Sequence, residues 1–249
     1  MMKDVFLKKN ERIDDLQLKG LKIIQNTKGF CFGIDAVLLA NFCEIKLDST
    51  VVDLGTGTGI IPLIIYGKNE INKIYGIEIQ QEVADMAERS VELNGLEENI
   101  KILNMDLRNI EEVIKVNSID VVVSNPPYMD KGTGIINPND KKAISRHEIR
   151  GGLEDIIEKA KRLLKHNGRF YMIHRPNRLV DILYYLRKHK LEPKTLRFIH
   201  SKMSEAPNLV LIKSIKAAKP ELKIEAPLYV YNEDGEYTNE IHEIYGLDD

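Results

Sequence analysis

Cysteine is scarce in this 249-residue chain, and uninterrupted apolar runs are short. Cys31 and Cys43 stand among apolar neighbours without the spacing of metal ligands. That argues against a structural zinc site and suits packing in a reducing cytoplasm. No apolar stretch approaches the roughly 20 residues of a membrane span. The opening MMKDVFLKKNERIDDL also lacks the apolar segment of an export signal. There is no internal repeat, low-complexity tract or linker, so residues 1–249 are expected to form one cytoplasmic domain.

Charge is nearly balanced at −2 but unevenly spread. From Pro220 to Asp249 nine acids face the single Lys223, leaving that segment at −8 and residues 1–219 at +6. Two stretches are locally basic: NDKKAISRHEIR at 139–150, and the six Lys/Arg against two acids between Asp181 and Lys202. Such faces suit a polyanionic partner, and equally an ordinary solvated helix.

Between residues 50 and 213 apolar runs alternate with turn signals. Strands are expected at 51–54, 73–78, 100–103, 119–124, 168–174, 195–200 and 208–213. Helices are expected at Gln80–Asn94, Gly152–Lys165 and Asn177–His189, the first two stopped by Gly95 and Gly168. Alternation of this kind predicts an α/β fold with a mostly parallel sheet covered on both faces. Ahead of this core, residues 1–49 predict a short hairpin at 21–32 and a helix at 33–43 capped by Asp35. Behind it, Asp234-Gly235 predicts a hairpin in the acidic segment 220–249.

VVDLGTGTGIIPL runs from a strand through Gly55, Gly57 and Gly59 into a helix. Glycines there allow a tight turn and close approach to a ligand, and the helix start offers free N–H groups. The spacing is D-x-G-x-G-x-G, which differs from the G-x-G-x-x-G of dinucleotide folds. Two further acids, Glu78 and Asp106, close the next two strands. Glu78 suits a ribose diol or is a surface acid; Asp106 suits an adenine amino group or is the N-cap of a helix at 108–116.

Acid-glycine loop, acid, acid at three consecutive strand tips resembles the class I S-adenosylmethionine-dependent methyltransferases. The resemblance implies a Rossmann-like sheet of seven strands in the order 3-2-1-4-5-7-6, with S-adenosylmethionine as cofactor and no metal. It implies that Gly55, Thr56, Gly57 and Gly59 hold the methionine part, Glu78 with Ile79 the ribose, and Asp106 with Leu107 the adenine. Asp53 would fix the loop or reach the ligand's ammonium.

After the fourth strand comes Ser124-Asn125-Pro126-Pro127-Tyr128. A conjugated amine is a poor nucleophile because its lone pair is delocalised. Two acceptors, the Asn125 side-chain oxygen and the Pro126 carbonyl, can hold both amino hydrogens and aim the lone pair at the sulfonium methyl. Pro126 and Pro127 stiffen the turn, and Tyr128 offers a planar face. The motif resembles the amino-methyltransferases that act on adenine, guanine or a release-factor glutamine.

Flanking segments narrow the choice. ERIDDL, LKIIQNTKGFCFGIDAVLLANF, SRHE, RGGLEDII and HRPNRLVDIL resemble the bacterial tRNA1(Val) adenine-N6 methyltransferases. This likeness sets Phe30, Phe32 and Asp35 against the cofactor's methionine end, where Phe30 and Phe32 are otherwise core and Asp35 a helix cap. It implies N6-methyladenine formation in a tRNA anticodon loop, with Lys141–Arg150 and Arg187–Lys202 on phosphates and Arg146, His147 and Arg175 as candidate contacts. The residues ahead of the glycine loop read as a hairpin and a helix rather than the separate helical domain of glutamine methyltransferases, and the duplicated domain of guanine-N2 enzymes of rRNA is not expected. A silent RNA-binding protein and a nicotinamide oxidoreductase are the remaining alternatives. Monomer and homodimer are both open.

Overall fold

The computed structural model describes residues 7–29, 31–69, 71, 73–128 and 152–246; Phe30 and the basic stretch 139–150, with Arg146 and His147, lie outside the described residues. A hairpin of β1 (Glu11–Asp15) and β2 (Lys22–Asn26) leads into α1 (Ile34–Phe42). Strands and helices then alternate through β3 (Thr50–Leu54), α2 (Ile60–Asn69), β4 (Lys73–Glu78), α3 (Gln81–Leu93) and β5 (Ile100–Asn104). A 3-10 turn (Leu107–Glu112), β6 (Ile119–Ser124), α4 (Leu153–Leu163) and β7 (Leu164–His174) follow. The last part holds α5 (Leu179–Lys188), β8 (Leu191–His200), β9 (Pro207–Lys216), β10 (Lys223–Ile224), β11 (Leu228–Tyr229) and α6 (Asn239–Tyr245).

Eight strands run in the order β10-β8-β9-β7-β6-β3-β4-β5, with β11 also on β8. The seven expected strands therefore keep their expected sequence across the sheet, but among the described residues the sheet has nine strands, because β10 and β11 add parallel to its β8 edge. Among the described strands of this sheet, only β9 runs against its neighbours, β7 and β8.

The β-branched runs are explained by two cores. Val51, Val121, Val123, Tyr171 and Ile173 join one cluster with α1, α2 and α3, whereas Val52, Val122, Phe170 and Met172 join the other with α4 and α5. Successive side chains point to opposite faces, so a strand with both faces covered must be apolar throughout. Each valine so buried contributes roughly 1.5–3 kcal/mol.

Both terminal expectations need correction. The first hairpin pairs 11–15 with 22–26 rather than lying within 21–32. Its first strand is mostly solvent-facing, so ERIDD carries no apolar alternation, and the reversal uses positive φ at Gln17, Lys19 and Gly20. The hairpin docks on α3: Ser90 Oγ accepts from the Ile24 N–H at 2.9 Å, and Asn94 Oδ1 from the Lys22 N–H at 2.8 Å. At the other end, Asp234-Gly235 does turn, with Gly235 at φ +86°, but the pairing stops at one bridge, Tyr231 to Tyr237. The chain then coils into α6, whose Ile241 is fully buried. Thr238 starts that helix while its hydroxyl donates to the Tyr229 carbonyl at 2.7 Å. Cys43 is buried as expected, but Cys31 is exposed.

Carboxylates of both the acidic segment and the body meet the second basic stretch. Glu240 pairs with Arg197 at 2.6 Å, Glu192 with Arg187 at 2.7 Å, and Glu154 with Lys188 at 2.6 Å. With Lys194 also 3.9 Å from Glu221, four of the six Lys/Arg between Asp181 and Lys202 are engaged with carboxylates.

From β3 the chain builds outward through β4 and β5, then returns to place β6 on β3's other side. The crevice outside the carboxyl ends of β3 and β6 is the switch point where open α/β sheets bind ligands.

Candidate active site at the switch point

Beyond Leu54 the backbone turns through Gly55, Gly57 and Gly59 at φ +80°, +58° and +83°, a region that L side chains avoid. The Gly55 and Thr56 N–H groups both donate to the Ile77 carbonyl at 2.9 Å, tying the loop to β4. A Cβ at Gly55 would meet nothing within 4 Å, so the loop opens onto free space.

Glu78 is 4% exposed and braces this loop. Its Oε2 accepts from the Gly57 N–H at 3.0 Å and its Oε1 from the Gln80 N–H at 2.9 Å. Burial raises its pKa, and those hydrogen bonds pull it part of the way back. Gln80 Nε2 also approaches Oε1 at 3.4 Å, so only part of the carboxylate's accepting capacity of about four lone-pair sites remains for a ligand.

Asp53 is fully buried, in register with Gly76 of β4 and Val123 of β6. Among the described residues neither of its oxygens has a hydrogen-bond partner, nor do the buried Thr56 and Thr58 hydroxyls. Burial pushes the Asp53 carboxyl up to about 7; the nearby Thr56 hydroxyl, short of a full hydrogen bond, offsets this in part, and the Glu78 charge adds to it. Unpartnered polar atoms are costly unless a ligand or water completes them.

At the tip of β5, Asp106 caps the 3-10 turn by accepting from the Arg108 N–H at 2.9 Å, and its carboxylate also pairs with the Arg108 guanidinium at 2.5 Å. The turn covers Leu107–Glu112 rather than the longer helix expected at 108–116. Leu107 packs against the second core. Asn104 Nδ2 donates to the carbonyls of Glu78 at 2.9 Å and Ile79 at 3.1 Å, fixing the backbone behind the Glu78 carboxylate. Sequence reading missed Asn104; its place next to the strand-ending acid is the available signal.

Across the crevice, Ser124 Oγ donates to the Leu54 carbonyl at 2.8 Å and locks the end of β6 to the end of β3. Pro126 is buried, and among the described residues nothing donates to its carbonyl. The Tyr128 hydroxyl lies 2.9 Å from Asn125 Oδ1 and 2.9 Å from Asp35 Oδ2. Burial, and then the Asp35 charge, raise the phenol well above its usual range. The ring is held by the edge of His174, 5.2 Å between centroids, and by the Arg175 guanidinium 5.3 Å from the ring centre. Part of the planar face expected for stacking is therefore already covered by a cation.

Asp35 does not cap α1; Gly33 holds that position. Asp35 lies in the first turn, with Oδ1 accepting from the Ala36 N–H at 3.0 Å. A carboxylate is favoured there by the helix dipole. Phe32 packs against the first core, and its N–H donates to the buried Gln25 side chain at 3.0 Å, which ties the segment before α1 to β2. Gln25 and His174 were not singled out from the sequence; the Tyr128 ring that His174 meets is distant in the chain.

The fold thus brings Asp53, Gly55, Thr56, Gly57, Gly59 and Glu78 together on one side of the crevice, with Asp35, Asn125, Pro126, Pro127 and Tyr128 on the other. The described residues contain no His/Cys/Asp/Glu group able to hold a metal, and no helix among them is long and apolar enough to cross a membrane.

Residues 33–184 match the methyltransferase small domain family. A Haemophilus influenzae tRNA1(Val) (adenine(37)-N6)-methyltransferase is 24% identical over 233 residues, covering 91% of this chain and 94% of that protein. A Porphyromonas gingivalis protein of the same name is 27% identical, covering 80% and 79%. Among solved structures, a predicted O-methyltransferase from Agrobacterium tumefaciens superposes with a TM-score of 0.70 at 23% identity, covering 85% of this chain and 95% of that one. A geranyl diphosphate C-methyltransferase from Streptomyces coelicolor, in complex with S-adenosyl-L-homocysteine, superposes at 0.54 with 13% identity, covering 74% and 77%.

Proposed function

The chain belongs to the methyltransferase small domain family, and from that premise we propose that it methylates the exocyclic N6 of an adenine in a tRNA anticodon loop, using S-adenosylmethionine. The observation that carries the reading is Asn125-Pro126-Pro127-Tyr128 standing across the switch-point crevice from a glycine loop backed by Glu78 and Asp53. The names of the relatives that span most of the chain support tRNA and adenine.

The residues present suit the cofactor. The loop at Gly55 faces open space, and Asp53, Thr56 and Thr58 carry buried polar atoms still lacking partners. Glu78 keeps accepting capacity toward a ribose, while its bonds to Gly57 and Gln80 hold the loop in shape. Asp53, Gly55, Thr56, Gly57 and Gly59 would hold the methionine end, with Phe32 and Asp35 flanking it and Ile79 beside the ribose. Asp106 and Leu107 would meet the adenine, for which Asp106 must share or release Arg108. Bound there, S-adenosylmethionine supplies a methyl group activated by a positively charged sulfur.

The chain's own task is orientation. Asn125 Oδ1 and the Pro126 carbonyl accept the two hydrogens of the substrate amino group, which turns its lone pair out of conjugation and toward the methyl. These acceptors also stabilise the positive charge that grows on nitrogen during transfer. No general base is required, because the methylated nitrogen is strongly acidic and its proton leaves to water. An anticodon-loop base is already unstacked, so presenting it costs little.

Mass spectrometry of tRNA nucleosides from a strain lacking the gene tests the reading: N6-methyladenine should be lost from a tRNA and return with the wild-type gene. Transfer to unmodified anticodon stem-loops should be abolished by Asn125→Ala with cofactor affinity retained. Methylation of a release factor or a guanine-containing rRNA fragment instead would overturn the substrate.

A further inference from the structure

The Tyr128 hydroxyl stands 2.9 Å from two oxygens, Asp35 Oδ2 and Asn125 Oδ1, yet a phenol has one proton. An aspartate carboxylate only accepts, so it competes for that proton against a neutral amide oxygen. The charged acceptor forms the stronger bond, and the helix start around Asp35 favours its charge. The phenol oxygen then faces Asn125 with lone pairs only. The amide resolves this by a half-turn about its last side-chain bond, which exchanges Oδ1 and Nδ2 at nearly unchanged positions. Nδ2 then donates to the Tyr128 oxygen, and Oδ1 faces away from it.

We infer that Asp35 is a positioning residue: through the single proton of Tyr128 it fixes the Asn125 side-chain amide with its oxygen toward the substrate amino group. The inference deepens the proposed reaction and rests on it. An Asn125 amide turned the other way would present N–H to the substrate's N–H and repel it. Several contacts hold the relay in register. The ring of Tyr128 is fixed by His174 and Arg175. Gly33 leaves room for the carboxylate, since a Cβ there would come within 2.7 Å of Asp35 Oδ1.

The relay makes a prediction that a packing role does not. In Tyr128→Phe the amide has no director, and turnover falls severalfold. In Asp35→Ala the freed phenol proton is donated to Asn125 Oδ1 and stabilises the wrong orientation, so turnover falls up to about tenfold further. In the double variant the wrong donor is gone, and turnover climbs back to the Tyr128→Phe level. The test is kcat at saturating S-adenosylmethionine on an unmodified anticodon stem-loop for all four proteins. Additive losses, or Asp35→Ala milder than Tyr128→Phe, overturn the relay. Neutron diffraction from the deuterated wild-type protein decides independently of substrate. The phenol deuteron on the Asp35 side is expected, and on the Asn125 side it refutes the relay. A wild type that leaves the stem-loop unmethylated counts against the proposed substrate, while the deuteron position still decides the relay.

Discussion

Glu78→Gln is the sharpest perturbation of the cofactor side, because it preserves volume and exchanges one acceptor for a donor. In the wild type the two carboxylate oxygens accept from Gly57 at 3.0 Å and Gln80 at 2.9 Å. Glutamine keeps one acceptor oxygen, so one of these N–H groups loses its partner at a cost of about 1–3 kcal/mol. Removing a buried charge that burial already disfavours returns some of that. A protein this size loses roughly 2–4 °C per kcal/mol, so the melting temperature should fall by about 10 °C at most. Cofactor binding should suffer more selectively. Exchanging a charged acceptor for a neutral one at the ribose forfeits about 1.5–3 kcal/mol, which is roughly a 10- to 150-fold weaker Kd. Titration calorimetry with S-adenosylmethionine, paired with a thermal scan, measures both. An unchanged Kd in a folded variant would refute the ribose assignment and leave Glu78 as a loop brace alone.

Asp53→Asn should stabilise the cofactor-free protein in a pH-dependent way. The folded carboxyl titrates at about 7 against an ordinary 3.8, so the folded state holds a proton that the unfolded chain releases between those values. Wild-type stability therefore declines as pH rises through that window, by on the order of 4 kcal/mol, and the variant should gain at pH 8 but not below pH 4; an equal gain at both would disprove it. Arg89 donates to both Glu11 oxygens at 2.7 and 2.8 Å and to Asp85 at 2.8 Å. Arg89→Met leaves the Glu11 carboxylate without its ion-pair partner, with the Lys8 N–H still donating to it, and should cost about 3 kcal/mol, seen as faster amide exchange in 11–26; unaltered exchange there would show the pair to be dispensable. Arg89 also lowers the Glu11 pKa, so this contribution should fade as pH drops through that lowered value in a wild-type acid titration. Gly33→Ala should push Asp35 off Tyr128 and reproduce much of the turnover loss of Asp35→Ala with little change in melting temperature. A crystal structure of that variant with the Asp35–Tyr128 contact intact would contradict it.

The core of the fold was legible because its determinants are local. Three β-branched residues in β6 must serve two apolar faces, and Gly55, Gly57 and Gly59 must take positive φ where the strand breaks into a helix. Those constraints are written within a dozen residues, as is the abrupt stop at Pro126-Pro127. The edges were less legible: β1 is a charged, exposed strand whose pairing depends on Ser90 and Asn94 of a distant helix. The closing hairpin gave way to α6 because burial of Ile241 and the stacked rings of Tyr231, Tyr237 and Tyr245 favour a helix there.

What the sequence determined by itself was the type of sheet, the glycine loop with its acids, and an acceptor pair suited to a planar amine. Tertiary structure decided how those groups are oriented. Only folding brings the Asp35 carboxylate to the hydroxyl of Tyr128 and sets that hydroxyl beside the Asn125 amide, a proximity that no spacing along the chain encodes.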